Sequence, residues 1–332
     1  MGVSKTILVL GSNSFSGSHF VKSALSEGHR VLGVSRSHEI SQEFRSYSGS
    51  LIAGEFSFHQ LDVNHDTEGI AELSRDSKVE VVVNFSAQSM VAQSWTTPED
   101  WYETNVVSLA KLARELSSVS TLGQFINFST PEVYGTTDDW IKESFNFSPT
   151  TPYAVSRAAG DFHLRCLYDT FGFPVIFTRA ANVYGPGQQL YRIIPKAILC
   201  GLLNRKLPLQ GGGSSVRSFI HINDVSKALL RVMENGRLGD SYHVSTNRLI
   251  TIHEVVELVA RKLGMEMSDL VELSPERPGK DFAYKLSSEK IRNELDWDDS
   301  ITLEDGISDT IDWARENLNS LSNNSTEYEH KR

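Results

Sequence analysis

The sequence has few of the residues that would indicate disulfides, metal sites or thiol chemistry. Only two cysteines, Cys166 and Cys200, occur among 332 residues, and neither belongs to a CxxC pair. Both lie in apolar, helix-like stretches, so we expect each to be a buried small hydrophobic residue. This low cysteine content predicts a reducing, cytoplasmic location. The ten histidines show no metal-ligand spacing, so no metal site is expected.

Positive charge and long apolar runs are scarce as well. Lysine and arginine total 32 against 42 aspartates and glutamates, which gives a net charge of −10. Such an acidic balance argues against a nucleic-acid partner, because nucleic acid normally requires a basic face. The N-terminal apolar run Thr6–Leu10 is too short for a signal peptide or a membrane-spanning helix. We therefore expect no membrane association.

Strand-like and helix-like segments alternate along the first 180 residues. Short apolar runs predict six strands, at 6–10, 30–34, 56–61, 79–84, 124–128 and 174–179. Helical spacing of apolar residues predicts helices between them, the longest over 98–116 and 152–171. This alternation predicts an α/β fold, a doubly wound parallel (Rossmann) sheet. A further run at 241–244 is expected to return to the sheet.

Beyond residue 182 the order of elements becomes irregular. A Gly211-Gly212-Gly213 loop interrupts it, and late helices are predicted to begin at Thr251 and Thr302. We predict a first domain over 1–182 and a smaller mixed α/β C-terminal lobe over 183–318. The lobe is discontinuous, because a segment near 223–248 returns to the first domain. Residues 319–332 are predicted to form a polar, frayed tail.

The turn after the first strand has glycines at a spacing suited to a dinucleotide. It contains Gly11-x-x-Ser14-x-x-Gly17, with Phe15 and Ser16 opening the first helix. Backbone N–H groups and the positive helix end can bind a pyrophosphate there. A purely structural turn would contain the same two glycines, so the spacing alone leaves both interpretations open.

Arg36 follows the second strand, at the position that contacts the adenosine ribose in dinucleotide-binding folds. An acidic residue there would favour NAD, whereas the guanidinium of Arg36 suits the 2′-phosphate of NADP. A solvated surface arginine is the alternative interpretation. The sequence therefore favours NADP slightly over NAD.

Five motifs follow one another in order along the chain. They are STPEVYG at 129–135, YAVSR at 153–157, NVYGPGQQ at 182–189, RSFIHINDV at 217–225 and RPGKD at 277–281. Together they resemble the nucleotide-sugar-modifying extended short-chain dehydrogenase/reductases, most of all the dTDP-glucose 4,6-dehydratases. The likeness covers roughly residues 5–318. It implies a lyase with tightly bound, internally recycled NAD(P) that acts on a nucleotide-diphospho-sugar.

The resemblance implies a role for four residues in the reaction. Tyr153 is the base for the C4 hydroxyl, and Arg157 stands one helical turn on, where the family has lysine. A cation there lowers the pKa of the tyrosine. Thr130 hydrogen-bonds the C4 oxygen, and Glu132 removes the C5 proton once C4 is a ketone. Pro131 replaces the aspartate that protonates the leaving hydroxyl in the dTDP-glucose dehydratases.

The resemblance also implies binding residues and an oligomeric state. For the cofactor they are Gly11, Ser14, Phe15, Ser16, Gly17, Arg36, Asp62, Val63, Ser86, Ala87, Asn105, Ser129, Tyr153 and Arg157. For the nucleotide sugar they are Gln88, Ser89, Asn182, Arg192, Arg217 and Arg277, with the arginines pairing with the diphosphate. The family pairs through its two long helices, so a homodimer is expected.

Other functions stay open on the same scaffold. A 4-epimerase is less favoured, because such enzymes generally lack the arrangement of Thr130 and Glu132, whereas UDP-glucuronate decarboxylases also carry a glutamate at this position. A non-catalytic NAD(P)-binding protein would suit the departures at Ser14, Pro131 and Arg157. The motif residues that remain intact favour an enzyme.

Overall fold

The computed structural model describes residues 4–48, 54–137, 139–275 and 285–330. Within them the strands are β1 (Thr6–Leu10), β2 (Arg30–Ser35), β3 (Phe56–Gln60), β4 (Val81–Asn84), β5 (Gln124–Ser129), β6 (Val175–Ala180), β7 (Asn182–Tyr184), β8 (Leu207–Gln210), β9 (Val216–Arg217), β10 (Phe219–His221), β11 (Ser241–Val244), β12 (Ile250–Thr251) and β13 (Val271–Ser274).

The helices of the described residues lie between and after these strands. They are α1 (Phe15–Ser26), α2 (Thr67–Asp76), α3 (Pro98–Tyr102), α4 (Leu109–Leu116), α5 (Pro152–Phe171), α6 (Ile193–Leu202), α7 (Ile222–Asn235), α8 (Ile252–Leu263), α9 (Met267–Leu270), α10 (Glu289–Leu295), α11 (Leu303–Glu316) and α12 (Leu318–Leu321). No helix among the described residues is both long and apolar enough to cross a membrane.

Seven strands form one parallel sheet in the order β11-β6-β5-β4-β1-β2-β3. The predicted doubly wound sheet is therefore confirmed, as is the return of 241–244, which pairs with β6 as β11. Chain order reverses between β1 and β4. In such sheets ligands bind outside the carboxyl ends of the strands at this point.

The sheet is covered on both faces, which is why inner strands such as β1 and β4 are nearly continuous apolar runs. Side chains alternate along a strand, so Ile7 and Val9 of β1 pack into one core while Leu8 and Leu10 pack into another. Helices α1 and α7 contribute to the first core, and α4 and α5 to the second. Both cores hold the carboxyl ends of the strands rigidly in place.

A third core lies in the C-terminal part of the chain, between Tyr184 and Leu321. Its helices α8 and α11 begin where predicted: Thr251 and Thr302 cap them by accepting hydrogen bonds from the N–H groups three residues on. For α8 the Glu254 side chain completes a capping box. A separate core supports the predicted two-lobe division, whose boundaries stay a prediction.

The predicted helix over 98–116 is confirmed, and it contains a π-helical segment, Glu103–Ser108, between α3 and α4. Two other expectations about local structure were wrong. Cys166 is exposed on α5, because it lies on the outward face of that helix, although Cys200 is buried as expected. The tail is not frayed over 319–330: Leu321 is fully buried, because its side chain packs into the third core.

Candidate active site

The loop after β5 carries the first pair of predicted reacting groups. Thr130 ends the extended strand and caps the short 3₁₀ turn Pro131–Tyr134. Its Oγ1 accepts a hydrogen bond from the Glu132 N–H at 3.3 Å, which fixes the threonine side chain at the carboxyl end of the sheet. Thr130 is buried and Glu132 is partly buried. Both side chains therefore lie at the predicted ligand crevice.

The N-terminal turn of α5 brings Tyr153 to the same place. Thr151 caps this helix by accepting from the Ala154 N–H at 3.1 Å, and Pro152 occupies its first position. The Tyr153 N–H donates to Ser94 Oγ at 3.1 Å, which anchors the helix to the loop after β4. The phenol of Tyr153 is buried and hydrogen-bonded to Thr130. The structure thus brings Thr130, Glu132 and Tyr153 together.

The surroundings of Tyr153 set the ionisation of its phenol. Burial is the largest influence and raises the pKa, and the nearby Glu132 carboxylate raises it further. The charges of Arg157 and Arg192 and the hydrogen bond with Thr130 oppose this rise. In the absence of a bound ligand the pKa of Tyr153 is raised overall. A base at this position needs additional positive charge, of the kind that an oxidised nicotinamide provides.

Arg157 lies one helical turn after Tyr153 and is buried. Its guanidinium donates to the Phe128 carbonyl oxygen at 2.5 Å, so the side chain is held against the end of β5. Its Nε is buried without a hydrogen-bond acceptor among the described residues. An unpaired buried donor is costly, so this site suits an additional acceptor such as a ribose hydroxyl.

A buried polar network beneath these groups was not predicted. Asp161 of α5 accepts from Ser129 Oγ at 2.7 Å, from Asn127 Nδ2 at 2.9 Å and from Arg179 of β6 at 2.6 Å. Asn127 in turn accepts from Asn84 Nδ2 at 3.0 Å. Ser129, a predicted cofactor contact, thus has its hydroxyl committed to Asp161. The signal was available in the sequence, because an arginine within an apolar strand indicates a buried ion pair.

The glycine turn is tightly packed and needs glycine at both of its ends. Gly11 has a φ of +75°, and a Cβ at Gly17 would lie 2.2 Å from the Gly11 carbonyl oxygen. Ser14 caps α1, and its Oγ accepts from the Gly17 N–H at 3.0 Å. The N–H groups of Phe15 and Ser16 lie in the first helical turn, where they have no intrahelical acceptor. This end of α1 can therefore hold an anion, although one amide already has an acceptor.

The loops after β2 and β3 flank this turn. Arg36 is exposed just beyond β2, and its carbonyl accepts from Gln60 Nε2 at 3.1 Å. Asp62 shapes the loop after β3, because its Oδ1 accepts from the Asn64 N–H at 2.9 Å. Val63 is partly buried against the core beneath. These residues lie where the adenosine half of a dinucleotide would bind.

The loop after β4 is shaped by Asn105. Its side-chain amide accepts from the Gln88 N–H at 2.9 Å, donates to the Gln88 carbonyl at 3.0 Å and donates to Ser156 Oγ at 2.9 Å. With its amide committed in this way, Asn105 positions the loop. Ser86 and Ala87 are partly buried and Ser89 is exposed on the same loop. The π-helical segment places Asn105 in this position.

The predicted substrate residues are less tightly grouped. Arg192 precedes α6 and is close enough to Tyr153 to lower its pKa. Asn182 lies on β7 beside β10, and Arg217 lies on β9 beside β12, where its guanidinium donates to the Val216 carbonyl at 2.8 Å. Arg277 lies outside the described residues. Within the described part of the chain, no group of three or more His, Cys, Asp or Glu residues is arranged to hold a metal ion.

Comparisons with known proteins agree with this geometry. The family model for GDP-mannose 4,6-dehydratase matches residues 8–310. The chain is similar to the dTDP-glucose 4,6-dehydratase of Xanthomonas campestris, with 30% identity over 93% of this chain and 92% of that one.

Solved structures show the same likeness. A dTDP-glucose 4,6-dehydratase from Streptomyces venezuelae, with NAD bound, superimposes with a TM-score of 0.85, at 30% identity over 95% of this chain and 98% of that one. The UDP-glucose 4-epimerase of Thermotoga maritima also reaches 0.85, at 25% identity over 94% and 99%. The predicted resemblance is confirmed. This chain belongs to the GDP-mannose 4,6-dehydratase family of nucleotide-sugar-modifying extended short-chain dehydrogenases.

Proposed function

We propose that the protein is a nucleotide-diphospho-sugar 4,6-dehydratase that uses bound NAD(P). The observation that carries the proposal is the convergence of Thr130, Glu132 and Tyr153 at the carboxyl end of the sheet. A 4-oxidation needs a base and a hydroxyl partner at C4, and the elimination needs a carboxylate at C5. All three groups are present within one cluster.

The residues present fit a dinucleotide. The first turn of α1, which follows the glycine turn, leaves the N–H groups of Phe15 and Ser16 without intrahelical acceptors, and the buried Arg157 Nε is a donor in need of an acceptor. When bound, NAD(P) supplies a hydride acceptor that later returns the hydride. Tyr153 removes the C4 hydroxyl proton, and Thr130 holds the C4 oxygen by a hydrogen bond. Arg157 favours the ionised phenol through its charge.

Glu132 carries the second half of the reaction. Once C4 is a ketone, the C5 proton is acidic, and the Glu132 carboxylate removes it. The C6 hydroxyl then leaves with a proton. Pro131 has no proton to give, so Glu132 passes the proton that it has just taken to the leaving C6 oxygen, and water is eliminated across C5 and C6. The returned hydride then adds at C6, and Glu132 delivers a solvent-derived proton to C5, while the proton that Tyr153 took from the C4 hydroxyl goes to solvent.

The test of this function is the Glu132→Gln variant, incubated with a panel of nucleotide sugars. The amide keeps the size of the side chain but is no base, so oxidation at C4 survives while elimination slows by about 10²–10⁴-fold. In heavy water the parent enzyme places deuterium at C5 and the variant does not. Asp139→Asn, at an exposed position nearby, is the matched control and keeps the parent rate.

Mass spectrometry of the products decides between the candidate reactions. Loss of one water from the sugar supports the dehydratase. Loss of carbon dioxide indicates a decarboxylase, and unchanged mass with a new C4 configuration indicates an epimerase. Dehydration at the parent rate by Glu132→Gln would contradict the assigned role of Glu132.

The finer cofactor and substrate assignments belong to the same proposal. Arg36 contacts the 2′-phosphate of NADP, which is preferred slightly over NAD. Arg192, Arg217 and Arg277 pair with the substrate diphosphate, and Asn182, Gln88 and Ser89 contact the sugar. The low cysteine content supports a cytoplasmic location.

We also propose a homodimer that pairs through the long helices. A groove of about 890 Å³ lies between α4 and α5 and is lined by Val106, Val107, Leu167 and Phe171 among others. Phe171 is 79% exposed, which is unusual for a large apolar side chain. A twofold pairing of these helices would bury it. Light scattering at micromolar concentration tests this, and a monomer would contradict it.

A further inference from the structure

The last described residues run from the third core back to the first domain. Leu321 is fully buried in the third core, and Ser320 before it donates to Glu43, in the loop after β2, at 2.6 Å. At the far end His330 Nε2 lies 2.8 Å from Asp100 Oδ2 of α3, which follows β4. The two ends of the segment are thus held by elements that follow β2 and β4, the strands on either side of β1, and the glycine turn follows β1.

Residues 325–330, here called the tail strap, have one face turned towards the protein. Thr326, Tyr328 and His330 are partly buried, whereas Glu327 and Glu329 between them are exposed. Side chains alternate between two faces in an extended chain. The alternation shows that the tail strap lies flat on the molecule with Tyr328 and His330 inwards.

Two ring contacts fasten the tail strap to opposite sides of the cleft. The ring of Tyr328 meets Tyr191, just before α6, edge-on with centroids 5.3 Å apart. The ring of His330 stacks on the buried Trp101 of α3, with centroids 4.9 Å apart and planes 12° from parallel. Aromatic contacts of this kind add to the burial of the rings. The strap therefore joins the C-terminal lobe to the first domain.

Two predicted phosphate-binding residues act on the phenol of Tyr328. Arg36 and Arg192 both act on its phenol and lower its pKa, against the rise that burial causes. Arg36 lies beyond β2, and Arg192 is close to Tyr153. Tyr328 is thus within electrostatic range of a residue proposed for the adenosine end of a dinucleotide and of a residue close to the reacting groups.

We propose that the tail strap is the outer wall of the dinucleotide cleft and retains the cofactor between turnovers, an inference that rests on the proposed function. The contacts named above are with the sides of the cleft, whereas its floor is the glycine turn. A bound dinucleotide would leave only after Tyr328 and His330 release their partners. The proposed reaction takes a hydride and returns it within each cycle, so the cofactor has no need to exchange. Slow release of the dinucleotide therefore does not lower the turnover rate.

The test compares the double variant Tyr328→Ala/His330→Ala with Glu329→Ala, a change at the exposed position between them. Protein loaded with NADH, and separately with NADPH, is mixed with an excess of the oxidised dinucleotide, and the loss of bound-cofactor fluorescence gives the release rate. The double variant is expected to release cofactor about tenfold faster, because both ring contacts are gone. Glu329→Ala is expected to keep the parent rate.

The outcomes separate this inference from the proposed function. Equal release rates in the parent and the double variant would overturn the tail strap alone. Slower release or tighter binding in the double variant would also overturn it, because the tail would then occupy the cofactor position. A parent protein that binds neither dinucleotide would overturn both proposals, and Glu132→Gln tests the dehydratase assignment independently of the strap.

Discussion

The cofactor end of the cleft is built from main chain, whereas the reacting end is built from side chains. At the glycine turn the shape depends on the missing Cβ atoms of Gly11 and Gly17. At the reacting end Thr130 and Tyr153 are buried, and hydrogen bonds fix each of them. The cofactor end therefore depends on the absence of side-chain atoms, and the reacting end depends on particular functional groups.

Under the proposed function, the difference predicts which departures from the family pattern are tolerated. Ser14 replaces a glycine at the cofactor end, yet its side chain finds a use as the cap of α1. Pro131 removes a proton donor at the reacting end, and nothing on the Pro131 ring can replace it. At the cofactor end, we expect a substitution to be tolerated if the new side chain fits sterically. At the reacting end, loss of a functional group means that another group has to take over its step in the reaction.

The largest effect is expected for Tyr153→Phe. The change removes the only proposed base for the C4 hydroxyl, so hydride removal should fall by about 10²–10⁴-fold. Dinucleotide binding, which depends on the glycine turn, should stay within about twofold of the parent. Single-turnover absorbance of the reduced nicotinamide measures the first, and fluorescence titration measures the second. Equal losses in both would contradict the separation of the two ends.

The same variant tests the ionisation of the phenol. Burial and Glu132 raise the pKa of Tyr153, and only the deprotonated form accepts a proton. Raising the pH therefore increases the fraction of active base, and the rate of hydride removal in the parent should rise with pH through the neutral range. The residual rate of Tyr153→Phe should show no such rise.

The sequence predicted the strands well and named candidate reacting residues that the fold brings together, but it predicted local contacts poorly. Strands such as β1 were predictable because burial on both faces produces continuous apolar runs. Tyr153 and Glu132 were found only through the order of motifs, since a single tyrosine or glutamate carries no signal. The partners of Asp161 and the contacts of His330 depend on residues far apart in the chain, and no periodicity reports such pairs.

The π-helical segment illustrates the same limit. Apolar spacing over 98–116 predicts a helix but does not distinguish one backbone hydrogen-bond pattern from another. Asn105 lies within the π-helical segment, and its side chain accepts from the Gln88 N–H. Tertiary contacts made this choice, and they are invisible in a single sequence.

A smaller effect is expected for Gly17→Ala. A Cβ there would meet the Gly11 carbonyl oxygen at 2.2 Å, so the turn has to open. Overpacking of this size costs about 1–3 kcal/mol, which should weaken dinucleotide binding by up to about 100-fold. Isothermal titration with NAD and NADP measures the change.

Gly69→Ala is the matched control for this change. Gly69 lies within α2, where a new Cβ has only the Leu61 side chain near, at 3.9 Å. Alanine favours a helix interior, so this variant should be as stable as the parent or slightly more stable. If Gly17→Ala binds dinucleotides with the same affinity as the parent, dinucleotide binding does not depend on the absence of a Cβ at this position.

The smallest effect is expected for Arg36→Ala, and it refines the comparison because Arg36 is a side chain at the end built from main chain. Its guanidinium is exposed, so water and salt screen any contact with a 2′-phosphate, and the contribution of such a contact is about 0.2–1 kcal/mol. Affinity for NADP should therefore fall by about fivefold at most, while affinity for NAD stays unchanged.

The control is Arg36→Lys, which keeps the charge without the planar guanidinium. Its NADP affinity should lie between those of the parent and Arg36→Ala. Titrations with both dinucleotides at low and at high salt measure this, and the NADP preference should shrink as salt rises. An equal loss for NAD and NADP would mean that Arg36 shapes the loop after β2 and does not read the phosphate.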